Sequence, residues 1–126
     1  DEWKKISKIK TKYMFGHFEL PNFYMNAMVQ MPDTGELKAE HFKHQDYVFS
    51  GHFRKRQVQR KIHYLGNAFP HNYADAWDDK RGMMILDKEN NKEPVYIDWD
   101  DCPKYRTLKL SKLLDEKEKL LKSKMY

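Results

Sequence analysis

Apolar and polar residues alternate from Phe23 onward. Phe23, Met25, Ala27, Val29 and Met31 fall at every second position, with Asn22, Asn26 and Gln30 between them and Tyr24 and Met28 blurring the polar side. A period of two predicts a strand over 23–31. Pro32-Asp33-Thr34-Gly35 follows, in which Pro fixes φ and Gly accepts φ > 0, so a hairpin turn is expected there. Leu37, Ala39 and His41 suit a return strand, while Glu36 to His44 reads equally as a short helix. Tyr47-Val48-Phe49 is a short apolar strand closing near Gly51. Across the next basic stretch, Val58, Ile62 and Leu65 fit a helix face and Val58, Ile62 and Tyr64 a strand face; a strand ended by Gly66-Asn67 is preferred. Residues 67–82 read as a loop with one helical turn. Met83–Leu86 and Val95–Trp99 flank a polar run at 87–93, which predicts a second hairpin, with Pro94 tolerated at a strand start.

The ends of the chain carry a different period. Leu110, Leu113, Leu114, Leu120, Leu121 and Met125 gather on one side of a helix expected over 107–124, and Asp115 and Glu116 precede Lys119 at ion-pairing distance. Lys117 interrupts the stripe, so no coiled coil is specified. Residues 1–12 are lysine-rich, with Trp3, Ile6 and Ile9 spaced by three; they read as an extended basic arm or as a turn or two of helix. The expected fold is therefore α+β: a small, mostly antiparallel sheet of two hairpins, an amphipathic C-terminal helix and an extended N-terminal arm. The expected divisions are an arm at 1–12, a β-rich core at 13–106 and the helix at 107–126, all within one domain, since 126 residues suffice for one core.

Composition sharpens this picture. Aromatic residues make up 14% of the chain, which argues for an ordered protein, although charged residues reach 34% and the apolar class only 40%. Large rings lie beside charges rather than in apolar runs, so part of the ordering is expected against a partner. The formal charge of +5 suits nucleic acid, an anionic surface or an acidic protein, without choosing among them. Cys102 is the single cysteine, which rules out an internal disulfide and suits a reducing compartment. No stretch approaches the ~20 apolar residues of a membrane span. A start at Asp1 fits a removed presequence or a trimmed end.

Candidate chemistry is sparse. His41 and His44 would share a helix face, but two ligands do not make a zinc site, and His-x-x-x-His and His-Glu-x-x-His are both missing. Asp98, Asp100 and Asp101 around Trp99, and Asp78 and Asp79 after Trp77, could hold Mg²⁺ or share a proton, yet acids ending loops or pairing with lysines account for them more simply. Cys102 follows two aspartates, which raise rather than lower a thiol pKa. Glycine-rich phosphate loops and nucleophile-elbow motifs are missing. No catalytic residue, metal or cofactor is expected. Gly-His-Phe occurs at 16–18 and 51–53, and reads as coincidence.

What remains are contact surfaces. Arg54, Lys55, Arg56, Arg60 and Lys61, with Tyr64 beside them, form a candidate macromolecule-binding patch: guanidinium groups bridge phosphates and rings stack on unpaired bases. Leu110, Leu113, Leu114 and Leu121 form a candidate docking helix, whose leucines need covering by the core or by another chain. The expected function is that of a non-catalytic structural subunit in a large assembly, with a mitochondrial complex as the favoured setting and other protein subunits as partners. The first alternative is an RNA-contacting protein, such as a ribosomal one, using 54–61. A small His/Asp enzyme ranks last.

Overall fold

The computed structural model describes residues 2–123, which form six strands in two sheets with three short helices. Contacts divide the chain into two compact units, 1–66 and 67–126, so a boundary falls inside the expected 13–106 core. Lys124, Met125 and Asp1, named in the helix and arm expectations, lie outside the described residues.

The first unit holds α1 (Glu2–Ile6), β1 (Tyr13–Gly16), a 3-10 turn (Ala39–His41), β2 (Tyr47–Ser50), β3 (Gln57–Gln59) and β4 (Ile62–Tyr64). Its sheet runs β1-β2-β4-β3, and both β1–β2 and β2–β4 are parallel; only β3–β4 is antiparallel. The expected antiparallel arrangement is corrected here, because long-range pairs close this sheet rather than neighbouring hairpins. Alternation along the strands sends Met14, Val48 and Ile62 to one side. There, Leu20, Phe23, Phe42, Val48, Phe53, Ile62 and Tyr64 form the buried core, with Ile6, Met14 and Phe18 packed against it. The N-terminal segment is thus partly helical and turns Ile6 inward, where an extended arm was expected.

The strand expected over 23–31 is instead a tight loop. The Asn26 side chain accepts from the Met28 and Val29 amides (2.9 and 3.1 Å), and the chain doubles back so that Tyr24 bridges Gln30. Asn side chains compete with ladders in this way. Of the alternating residues Phe23 alone is fully buried, while Met28 and Val29 face solvent. The turn at 32–35 does form: Gly35 takes φ 77°, and its amide donates to Asp33 Oδ1 at 2.8 Å. That amide, with Lys38 beside it, holds the Asp33 carboxyl below its usual range. The 3-10 turn follows in place of a return strand. The hairpin in this unit is β3–β4, joined by Arg60-Lys61 with Arg60 at φ 53°.

The second unit matches the expected loop and hairpin. Asn72 caps a 3-10 turn at Tyr73–Asp75, its side chain accepting from the Ala74 amide, and β5 (Gly82–Ile85) pairs antiparallel with β6 (Val95–Asp98). The expected single helix is two: α2 (Leu110–Asp115) and α3 (Lys117–Leu121), broken at Glu116. Lys109 offers no side-chain cap, and Asp115 and Glu116 place negative charge at the end of α2, where the helix dipole disfavours it. Burial in this unit is polar. Among its described residues only Pro70, Asp75, Arg81 and Cys102 are buried.

Gly82 occupies φ 157°, and a Cβ there would run into the Ile97 carbonyl oxygen. Gly82→Ala should therefore cost more than about 1 kcal/mol and open the ribbon beside the bond from the Trp99 amide to the Arg81 carbonyl. Faster hydrogen exchange at Trp99 would register this.

Candidate functional site

The basic stretch does not form one surface. Because β3 runs antiparallel to β4, Arg54–Arg56 enter at the carboxyl end of β4, beside Gly66, while Arg60 and Lys61 lie at its amino end. Lys55 sits over the Tyr24 ring at 5.4 Å. Arg60 opens onto a groove of about 600 Å³ that Glu36 and Glu40 also line. Lys61 donates through Nζ to the Gln45 carbonyl at 2.9 Å. Tyr64, expected as a stacking ring, belongs to the core. Its hydroxyl donates to the Phe18 carbonyl (2.8 Å) and accepts from the Leu20 amide (3.1 Å), so it cannot meet a base.

The amino ends of the three parallel strands are tied together. The Asp46 and Tyr47 amides donate to the Lys12 carbonyl, the Val48 amide to the Lys61 carbonyl, and Gln45 Nε2 to the Ile9 carbonyl at 2.9 Å. This brings Lys10 and Lys12, which precede β1, to the same edge as Lys43, which precedes β2, and Lys61, which precedes β4. The sheet face opposite the core is aromatic there. Tyr13 and Tyr47 stack at 5.9 Å, Phe15 stacks on Phe49 at 5.4 Å, and Lys12 Nζ lies 5.5 Å from the Tyr13 ring centre. His63 belongs to this face, and its partial burial lowers its pKa.

At the carboxyl ends the two Gly-His-Phe segments come side by side, one residue out of step, since Gly16 pairs with Ser50 rather than Gly51. Tyr13-Met14-Phe15 and Tyr47-Val48-Phe49 pair in register, and each leads into Gly-His-Phe, with Ser50 as the one extra residue. Tyr-x-Phe ahead of both segments was the signal available in the sequence, hidden by that insertion. The result joins His17 Nε2 to His52 Nδ1 at 3.1 Å and His52 Nε2 to Glu19 Oε1 at 2.8 Å, with His52 in a left-handed conformation at φ 83°. The His–His bond needs one imidazole as donor and the other as acceptor. No set of three or more His, Cys, Asp or Glu side chains among the described residues is placed to hold a metal ion. His41 has a local role: its Nδ1 accepts from the Lys38 amide.

The second unit presents apolar surface outward. Register pairs Met83 with Ile97 and Ile85 with Val95, so all four side chains share one face of the β5–β6 ribbon. They are 65%, 46%, 51% and 56% exposed, respectively. Leu110, Leu113, Leu114 and Leu121 are exposed as well, and Leu113, Leu114 and Leu121 line an open groove of about 580 Å³ with Leu108 and Leu120. The aspartates after Trp77 pair with two different arginines. Asp79 receives both terminal nitrogens of Arg106 (2.8 and 2.6 Å), which foremost lowers its pKa, and Arg106 lies 4.3 Å from the Trp77 ring centre. Asp78 pairs with Arg81 at 2.9 Å; Asp100 and Asp101 face solvent; Cys102 is buried. No described helix is long and apolar enough to cross a membrane. No protein family matches the chain, and no curated protein or solved structure is significantly similar to it.

Proposed function

We propose that this protein is a non-catalytic subunit of a larger assembly, anchored to a neighbouring protein through the β5–β6 ribbon. The observation that carries this reading is the ribbon's outward face, where Met83, Ile85, Val95 and Ile97 form a continuous exposed strip. A soluble chain that exposed such a strip would associate, since burying each branched side chain contributes about 1.5–3 kcal/mol. A two-stranded ribbon is also marginal alone and gains stability when a partner covers it. The leucines of α2 and α3 offer a second apolar surface of the same kind.

Ile85→Asp with Ile97→Asp replaces two exposed residues and should leave the fold intact. Association with the native assembly should weaken at least about a hundredfold. Velocity sedimentation of native extracts would show it: wild-type protein travels with a set of other subunits, and the double variant moves to the position of a free 15.3 kDa chain. Wild-type protein sedimenting as a free monomer, or a variant that stays with the assembly, would overturn the reading.

A further inference from the structure

We infer that the amino-terminal edge of the four-stranded sheet binds single-stranded RNA, independently of the docking proposed for the second unit. Charge is the first ground. The first unit holds twelve Lys and Arg against seven Asp and Glu, whereas the second holds twelve of each, so the whole excess of +5 belongs to the first. Parallel pairing then concentrates part of it. Residues that precede β1, β2 and β4 share one edge, which collects Lys10, Lys12, Lys43 and Lys61 although they come from three separate segments of the sequence. Lys10, Lys12 and Lys43 are exposed, and among the described residues neither they nor Lys61 make a salt bridge to a carboxylate; Asp46 is an acid interspersed among them.

Aromatic rings select the kind of polyanion. Tyr13 and Tyr47 stack at this edge without being fully buried, and Phe15, two residues along β1 on the same face, is 62% exposed. Cations beside open rings fit unpaired bases on a phosphate chain, where rings stack on bases of any sequence and lysines follow the backbone. An anionic membrane fits less well, because Ile6 of the lysine-rich N-terminal segment packs into the protein's own core rather than outward.

Fluorescence anisotropy of the full chain with a labelled 20-nucleotide poly(U) tests the inference. Micromolar or tighter binding is expected at 50 mM salt. Lys10→Gln, Lys12→Gln and Lys43→Gln together should weaken it at least about tenfold and make the slope of log K against log salt shallower by about 2. Lys109→Gln, Lys112→Gln and Lys119→Gln remove the same charge from the second unit and should change affinity less than about twofold. Tyr13→Leu with Tyr47→Leu should weaken binding about tenfold, with the salt slope kept. Far-ultraviolet circular dichroism confirms that each variant is folded. Any of three results would overturn the inference: no binding to poly(U), equal losses in the two lysine triples, or binding to vesicles of 30% phosphatidylserine without binding to RNA.

Discussion

Arg81→Leu is expected to destabilise the second unit by about 3–5 kcal/mol, a large share of the 5–15 kcal/mol typical of a whole domain. Arg81 is fully buried. Its guanidinium donates to Asp78 Oδ2 at 2.9 Å and to the Asp78 carbonyl at 3.2 Å, and lies 3.4 Å from Asp75 Oδ1. Asp75 is as deeply buried, and its other oxygen accepts from the His71 amide at 2.9 Å. Leucine fills only part of the volume and leaves the Asp75 carboxylate in a dry site without its cation, and that uncompensated charge is the main cost. Adding Asp75→Asn removes the charge while keeping an acceptor for His71, so the double variant should recover part of the loss. Denaturant unfolding followed by tryptophan fluorescence measures both, since Trp77 and Trp99 report on this unit. A midpoint for Arg81→Leu equal to wild type would show that the buried pair does not hold the unit together.

Nothing in the local sequence marked Arg81 as internal. Asp78-Asp79-Lys80-Arg81 reads as a solvated charge run, and only the chain's return through Cys102 to Arg106 distributes those residues between centre and surface. Elements whose cause is local were legible. Tyr47-Val48-Phe49 is apolar and β-branched enough to declare β2, and the polar run between Met83–Leu86 and Val95–Trp99 declares the second hairpin. The parallel sheet was not legible, because its strands are three or four residues long and the pairing partners stand more than ten residues apart. Tyr13–Gly16, just past the basic arm, carried no strand pattern of its own and becomes β1 only with Tyr47–Ser50 beside it. The same pairing explains why the candidate site changed. A basic patch defined by neighbours in sequence, 54–61, is divided between opposite ends of the sheet by β3. Lysines from three separate segments are meanwhile united by strand direction. Burial decided the fate of Tyr64, and no sequence pattern distinguished a ring that stacks outward from one whose hydroxyl ties the 18–20 segment to the sheet.

That hydroxyl underlies the second large effect. Tyr64→Ala should cost the first unit about 3–5 kcal/mol, because the ring packs against Phe23 and Phe53, each with centroids 4.8 Å away. Tyr64→Phe keeps the ring and isolates the polar contribution. The buried Leu20 amide loses its acceptor and the Phe18 carbonyl its donor, for about 1–3 kcal/mol. Alkaline pH separates the two effects. Burial pushes the Tyr64 phenol up to about 12, outweighing the Leu20 amide, which favours the phenolate. An unfolded tyrosine titrates near 10, so between about pH 10 and 12 the folded state holds the proton more tightly than the unfolded one. Stability is therefore intact below pH 10 and falls as pH rises toward 12, by roughly 2–3 kcal/mol in all. Tyr64→Phe starts lower at neutral pH and should lack this alkaline decline, so the wild-type and variant curves converge as pH approaches 12. Denaturant midpoints read from Trp3 fluorescence, in a background with Trp77 and Trp99 replaced by Phe, would trace both curves. Parallel curves across that range would mean that the phenol does not carry the buried link between the sheet and the 18–20 segment.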